Sequence, residues 1–213
     1  MNIVKLVETS IEAAALEAAA VLGRGGVIVF PTDTLYGLGA NAFSNEAVDK
    51  VYAIKGRDEK KPIHAIAADI AMIEKYAVVD NIGRKLAEKF FPGPFTLILK
   101  KKPEVENGIT RGIETIGFRI PANDFCIAIA RAFGKPYTAT SANKAGEPPQ
   151  RSVDAALAQL GAASEIVDIT FDAGKLPESE PSTVVDVSSG ELRILREGAI
   201  SAREIYAALG RSS

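Results

Sequence analysis

The run Val27-Ile28-Val29-Phe30, bounded by Gly25-Gly26 and Pro31, constrains this chain more than any other feature. A short, unbroken series of β-branched and aromatic residues between turn signals predicts a strand buried on both faces. Strands of that kind belong to α/β proteins, whose sheets are covered by helices. Directly after it, Thr32, Asp33, Thr34 and Tyr36 gather hydroxyls and one carboxylate beside Gly37 and Gly39. Glycine has no Cβ, so the backbone there can approach a ligand, and the strand end is expected to form a pocket wall.

Ser44 is the expected cap of a helix with the apolar stripe Ala47, Val48, Val51, Tyr52 and Ile54, which ends at Lys55 and turns at Gly56. Lys55, Arg57, Lys60 and Lys61 then concentrate positive charge. The whole chain is not basic, with Lys+Arg 25 against Asp+Glu 27, so a cationic cluster beside a polar loop points to an anionic ligand. Arginine forks onto phosphate and lysine supplies a mobile point charge, a pair suited to a polyphosphate. The sequence has no GxxxxGK[ST] and no GxGxxG, so a nucleotide would need another geometry.

The remaining pattern continues the alternation. Strands are expected at 3–6, 63–67, 95–100, 115–120, 137–140 and 166–169, and helices at 11–22, 71–76, 82–90, 124–133, 152–160 and 202–209. Segment 171–181, rich in Gly, Pro and acidic residues, reads as an exposed loop with scope for motion. Strands at 183–187 and 192–195 flank Ser188-Ser189-Gly190, a hairpin signal.

At 213 residues and 47% hydrophobic, the chain is long enough for a sizeable core, and a single domain over 1–213 is expected. The net charge of -2 gives no support to wholesale coating of nucleic acid. Apolar runs fall well short of the roughly 20 residues of a membrane span, and MNIVKLVETS is not a signal-peptide pattern, so a cytoplasmic location is expected. One cysteine, Cys126, excludes an internal disulfide and a multi-cysteine zinc site; it reads as a small buried hydrophobe. His64 is the sole histidine, which removes paired-histidine schemes.

Seven ordered motifs then resemble the YrdC-type threonylcarbamoyl-AMP synthase family: FPTDTLYGLGANA (30–42), AIKGRDEKKP (53–62), FPGPFTLIL (91–99), ETIGFRIP (114–121), TSAN (140–143), PSTVVDV (181–187) and LREGAIS (195–201). The resemblance implies one twisted, mixed-sheet α/β domain with helices packed on the sheet around a concave basic cavity. It implies synthesis of L-threonylcarbamoyladenylate from L-threonine, bicarbonate and ATP with release of pyrophosphate, toward threonylcarbamoylation of adenosine 37 in tRNA. Downstream tRNA threonylcarbamoyl transferase proteins would receive the product, and the basic face would suit contact with tRNA or double-stranded RNA.

By motif, the resemblance places Thr34, Arg119, Ala139 and Ser182 on threonine. It places Lys55, Arg57, Lys61, Thr115, Ser141, Asn143 and Arg196 on ATP, with Arg57 and Lys61 carrying the catalytic electrostatics. Mg2+ would accompany the triphosphate, with no protein ligand named. Asp33 reads as a ligand of that metal or as a base, and at least as well as a loop-orienting carboxylate. Many relatives have a threonine-contacting histidine where this chain has Ile66; His64 is displaced from it by roughly 7 Å along a strand and is not carried into the site. Pro149 stands near a nucleotide contact that is serine in some relatives, and that contact is not carried over either. Three rivals stay open: a non-catalytic binder of double-stranded RNA or tRNA, a carbamoyl-adenylate domain of the hydrogenase-maturation type, and a regulatory protein that keeps the pocket without catalysis.

Overall fold

In the computed structural model, residues 2–56 and 62–210 are described. The order is β1 (Asn2–Lys5), α1 (Ile11–Gly23), β2 (Ile28–Pro31), β3 (Tyr36–Gly39), α2 (Asn45–Lys55), β4 (His64–Ile66), α3 (Ile70–Ile73), β5 (Ala77–Val78) and α4 (Asn81–Phe90). It continues with β6 (Phe95–Lys101), β7 (Thr115–Arg119), α5 (Asp124–Phe133), β8 (Tyr137–Ser141), α6 (Val153–Leu160), β9 (Ile169–Asp172), β10 (Thr183–Asp186), β11 (Arg193–Arg196) and α7 (Ala202–Ala208). The strands join in one mixed sheet, β1-β9-β2-β3-β8-β4-β7-β6-β10-β11, with β5 on the side of β6. Neighbours β1/β9, β9/β2, β4/β7 and β6/β10 are parallel; the other pairs are antiparallel.

Every residue of β2 is buried, which explains its uninterrupted apolar character. Phe30 meets the Tyr137 ring edge-on at 5.2 Å, joining β2 to β8 through a contact that contributes about 0.5–1.5 kcal/mol beyond area burial. Helices α1 and α5 pack together, α1 burying Ala14, Ala15 and Ala18 and α5 burying Phe125, Cys126 and Ile129. The small side chains let the axes come close. Caps fix the helix starts: Ser10, Ser44, Asn123 and Ser152 each accept a backbone N–H three residues on, and Ser201 with Glu204 forms a reciprocal capping box.

Three expectations are corrected. Residues 36–39 are strand β3, not loop, paired antiparallel with β2 from Ile28↔Gly39 to Pro31↔Tyr36. A Cβ on Gly37 would stand 3.0 Å from Phe30 Cζ, and one on Gly39 would stand 2.9 Å from Ile28 Cγ1. These glycines make room for the large β2 side chains in addition to bordering the pocket. Next, β9 begins three residues later than expected, because residues 161–166 form a 3-10 turn and the Asp168 carboxylate accepts the Val27 N–H at 2.8 Å. Finally, the helix expected at 71–76 is the single turn α3, followed by the short strand β5.

The segment after β9 is tied down at several points. The Tyr36 hydroxyl accepts the Ala173 N–H at 3.0 Å and lies 2.7 Å from the Gly174 carbonyl and 3.1 Å from an Asp172 carboxylate oxygen. Further along, Arg151 pairs with Glu178 at 2.8 Å, and the Ser179 hydroxyl donates to the Thr34 carbonyl at 2.9 Å. Cys126 is fully buried, its thiol donating to the Pro31 carbonyl at 3.2 Å, and burial pushes the thiol well above its ordinary pKa. Such a thiol is inert.

Candidate active site

The middle of the sheet curves around a cavity of about 350 Å³. Its walls are the Thr32–Gly37 segment, β4, β7, the end of β8, and residues of β6, β10 and β11. Because side chains alternate along strands, β4 directs His64 and Ile66 inward, β7 directs Thr115, Gly117 and Arg119, and β8 directs Ala139 and Ser141.

Arg119 organises one end. It is 5% exposed; NH1 donates to the Thr34 hydroxyl at 3.1 Å, NH2 to Asp33 Oδ1 at 2.6 Å, and Nε to the Gly93 carbonyl at 3.4 Å. The second Asp33 oxygen accepts the Ala122 N–H at 3.2 Å. Asp33 is therefore the orienting carboxylate of the loop, holding the guanidinium by charge-assisted bonds. The Thr32 hydroxyl accepts the Thr34 and Leu35 N–H groups, both at 3.0 Å, which sets the turn that presents Thr34.

Ser182, immediately before β10, and Arg196 of β11 face this end. Arg196 NH2 donates to the Ser182 carbonyl at 2.8 Å and to its hydroxyl at 3.0 Å, and Nε reaches the same carbonyl at 3.1 Å. The Ser182 hydroxyl also lies 3.2 Å from that of Thr96. Burial, followed by the positive charge of Arg119, holds the Arg196 guanidinium below its ordinary pKa. Two cations that disfavour one another across a hollow create a place for an anion.

Thr115 and Ser141 lie toward the other end of the strands. Behind them, the buried Lys55 ammonium donates to the Ser141 carbonyl at 2.5 Å, the Asn143 carbonyl at 3.0 Å and Asn143 Oδ1 at 2.9 Å. The Ser141 hydroxyl reaches Asn143 Oδ1 at 2.5 Å. Lys55 and Asn143 thus stand one layer behind the cavity wall and brace Ser141.

Of the residues expected in the site, Thr34, Thr115, Arg119, Ala139, Ser141, Ser182 and Arg196 line one cavity, and Lys55 and Asn143 support it. Arg57 and Lys61 lie outside the described residues. His64, left out of the site by sequence reasoning, does line the cavity, as does Ile66. The signal available was strand parity: two positions apart on β4 share a face. Among the described residues no group of three or more His, Cys, Asp or Glu is placed to hold a metal, and Asp33 is committed to Arg119 and Ala122. The described residues thus present no such donor set for Mg2+.

A mixed sheet wrapped around a basic hollow, with this ordered set of polar residues, defines a class of protein. The Sua5/YciO/YrdC family model, described as telomere recombination, matches residues 20–198, and the chain belongs to that family. A putative threonylcarbamoyl-AMP synthase of Methanocaldococcus jannaschii is 37% identical over 182 residues, covering 85% of this chain and 84% of the relative. The threonylcarbamoyl-AMP synthase of Bacillus subtilis is 36% identical over 197 residues, 91% of this chain and 56% of the relative. The structure of Pyrococcus abyssi Sua5 complexed with L-threonine superposes with a TM-score of 0.85 at 30% identity, over 99% of this chain and 61% of that one. The chain thus spans less than two thirds of the length of the latter two relatives. Among the described residues, no helix is long and apolar enough to cross a membrane.

Proposed function

We propose that this chain is an L-threonylcarbamoyladenylate synthase, joining L-threonine, bicarbonate and ATP with release of pyrophosphate, in the service of threonylcarbamoylation of adenosine 37 in tRNA. The observation that carries the reading is the convergence of Thr34, Arg119, Ser182 and Arg196 on one end of a cavity whose other end is edged by Thr115 and braced Ser141. The Arg119 fork suits an α-carboxylate, and the Thr34 and Ser182 hydroxyls suit the amine and side-chain hydroxyl of a small hydroxy amino acid.

In this reading the threonine ammonium and bicarbonate give a carbamate, with loss of water and a proton. A carbamate oxygen then attacks the α-phosphorus of ATP, and the bond to the bridging oxygen breaks as pyrophosphate leaves. No protein nucleophile is required. The chain aligns two anions and offsets charge developing on the leaving phosphates, which is work for positioning and fixed cations. Arg196, Arg57 and Lys61 are assigned that role. Mg2+ would enter as part of the nucleotide substrate, held by phosphate oxygens and water, as its coordination preferences favour. The mixed anhydride product is reactive toward water, so transferase proteins that act on tRNA are the expected recipients.

The deciding experiment incubates the protein with ATP, bicarbonate and L-threonine and detects the adenylate by mass, alongside pyrophosphate release. Formation that requires all three substrates supports the reading. Salt-sensitive RNA binding without turnover would replace it with a binding module.

A further inference from the structure

The cavity floor is a grid whose rows can be read from the strand pairings. On β4 and β8 the partners are His64↔Ala139 and Ile66↔Tyr137, and on β4 and β7 they are Ala65↔Phe118 and Ile66↔Arg119. Stepping back one residue sets His64 beside Gly117, and a Cβ built on Gly117 would lie 3.2 Å from the His64 Cβ. The row through Ile66 therefore holds Arg119, at the end assigned to the amino acid. Two residues from His64 in the opposite direction, in the row of Pro62, stand Thr115 and Ser141, at the end assigned to the nucleotide.

His64 occupies the row between them, about 7 Å along the strands from each. Its immediate partners in that row are Gly117 and Ala139, neither of which carries a polar side-chain atom. Half-buried and lining the cavity, His64 stands where the group joining the two larger substrates has to lie.

Resting on the functional reading above, we propose that His64 forms the subsite for the one-carbon unit, donating a ring N–H to an oxygen of bicarbonate and then of the carbamate made from it. Bicarbonate is small, planar and anionic. It needs a short-range directional donor between the two larger sites, and the flat imidazole supplies one without filling the space that Gly117 and Ala139 leave open. No bond to the protein forms, and the proton and water released on carbamate formation go to solvent. In this arrangement His64 affects one substrate of the three.

The test is steady-state kinetics of wild type, His64→Asn and His64→Ala with each substrate varied in turn, and calorimetric binding of threonine and ATP to each protein. Loss of a hydrogen bond to a charged group predicts an apparent KM for bicarbonate raised about 10–100-fold in His64→Ala. His64→Asn, which keeps a donor, should recover part of that loss, while threonine and ATP bind both variants within about two-fold of wild type. If a variant shows no turnover, retained threonine and ATP binding supports the subsite, and loss of that binding overturns it. An unchanged bicarbonate KM, or parallel weakening of all three substrates, also overturns it while the synthase reading stands. A wild-type protein that makes no adenylate overturns the synthase reading and this subsite with it.

Discussion

The Arg119 guanidinium and the Asp33 carboxylate form a buried ion pair, NH2 to Oδ1 at 2.6 Å, with side-chain exposures of 6% and 13%. Arg119 reaches Asp33 and its neighbour Thr34 with two adjacent nitrogens, so the pair sets the plane in which the remaining guanidinium edge faces the cavity. Removing one partner of a buried pair leaves an uncompensated charge, which costs about 3–5 kcal/mol. Asp33→Ala is therefore expected to lower the urea unfolding free energy by that amount at unchanged m-value. A loss below about 1 kcal/mol would show that Arg119 is held by its other contacts.

Arg119→Lys keeps the charge and loses the fork. A lysine cannot bridge Thr34 and Asp33 while presenting two parallel donors to a carboxylate. We expect the KM for L-threonine to rise about 10–100-fold while that for ATP changes less than about three-fold, consistent with loss of one charge-assisted hydrogen bond. Equal effects on both substrates would place the carboxylate elsewhere.

Arg57→Ala and Lys61→Ala are expected to abolish pyrophosphate release that depends on threonine and bicarbonate, with circular dichroism and urea midpoints unchanged. Fixed cations at developing phosphate charge contribute on the order of 10²–10³-fold each to turnover. Full activity in both variants would remove them from the catalytic role.

Tyr36 links the Thr34 turn to the segment after β9, and its ionisation gives a pH test. Burial raises the phenol above its ordinary pKa; the Ala173 N–H partly offsets this and the Asp172 charge reinforces it. The folded state therefore binds this proton more tightly than the unfolded state. Its contribution is fully present below the unfolded tyrosine value of about 10 and is lost as pH rises above it. Tyr36→Phe should be less stable than wild type near neutrality, and the gap should narrow from about pH 9 to about pH 11 in paired urea titrations. A gap constant across that range would contradict the burial assignment.

Gly198 sits against the backbone that presents Ser182. A Cβ there would fall 2.1 Å from the Pro181 carbonyl oxygen, so Gly198→Ala has to displace the turn leading into β10. Overpacking of this kind costs about 1–3 kcal/mol, and we expect it together with weaker threonine binding measured by calorimetry. Normal stability and binding would mean that the turn yields freely.

The sequence made much of this arrangement readable because local signals agreed with tertiary ones. Asn123 and Gly134 bracket α5, and Ser44 and Gly56 bracket α2, so both helices follow from caps and stripe alone. Strand β3 did not, because Gly37 and Gly39 are poor strand formers taken singly; their reason for being there is the bulk of Phe30 and Ile28 on the paired strand, a non-local fact. The displacement of β9 has the same origin, in an Asp168–Val27 contact that joins residues far apart in sequence. In the site, motif matching found the lining hydroxyls and guanidiniums. It did not reveal that Lys55 braces the wall from behind, nor that Asp33 serves Arg119, because both depend on which atoms meet. His64 differs from Ile66 by two positions in sequence, and the strand register puts both on the cavity floor.

The order of the strands also bears on biosynthesis. Thr34 precedes Arg196 by most of the domain, and β10 and β11 follow every other strand in the sequence. A ribosome-bound chain halted before Ser182 would carry the inner strands yet lack one side of the chamber. The chamber therefore gains this side only once the β10–β11 segment has been synthesised.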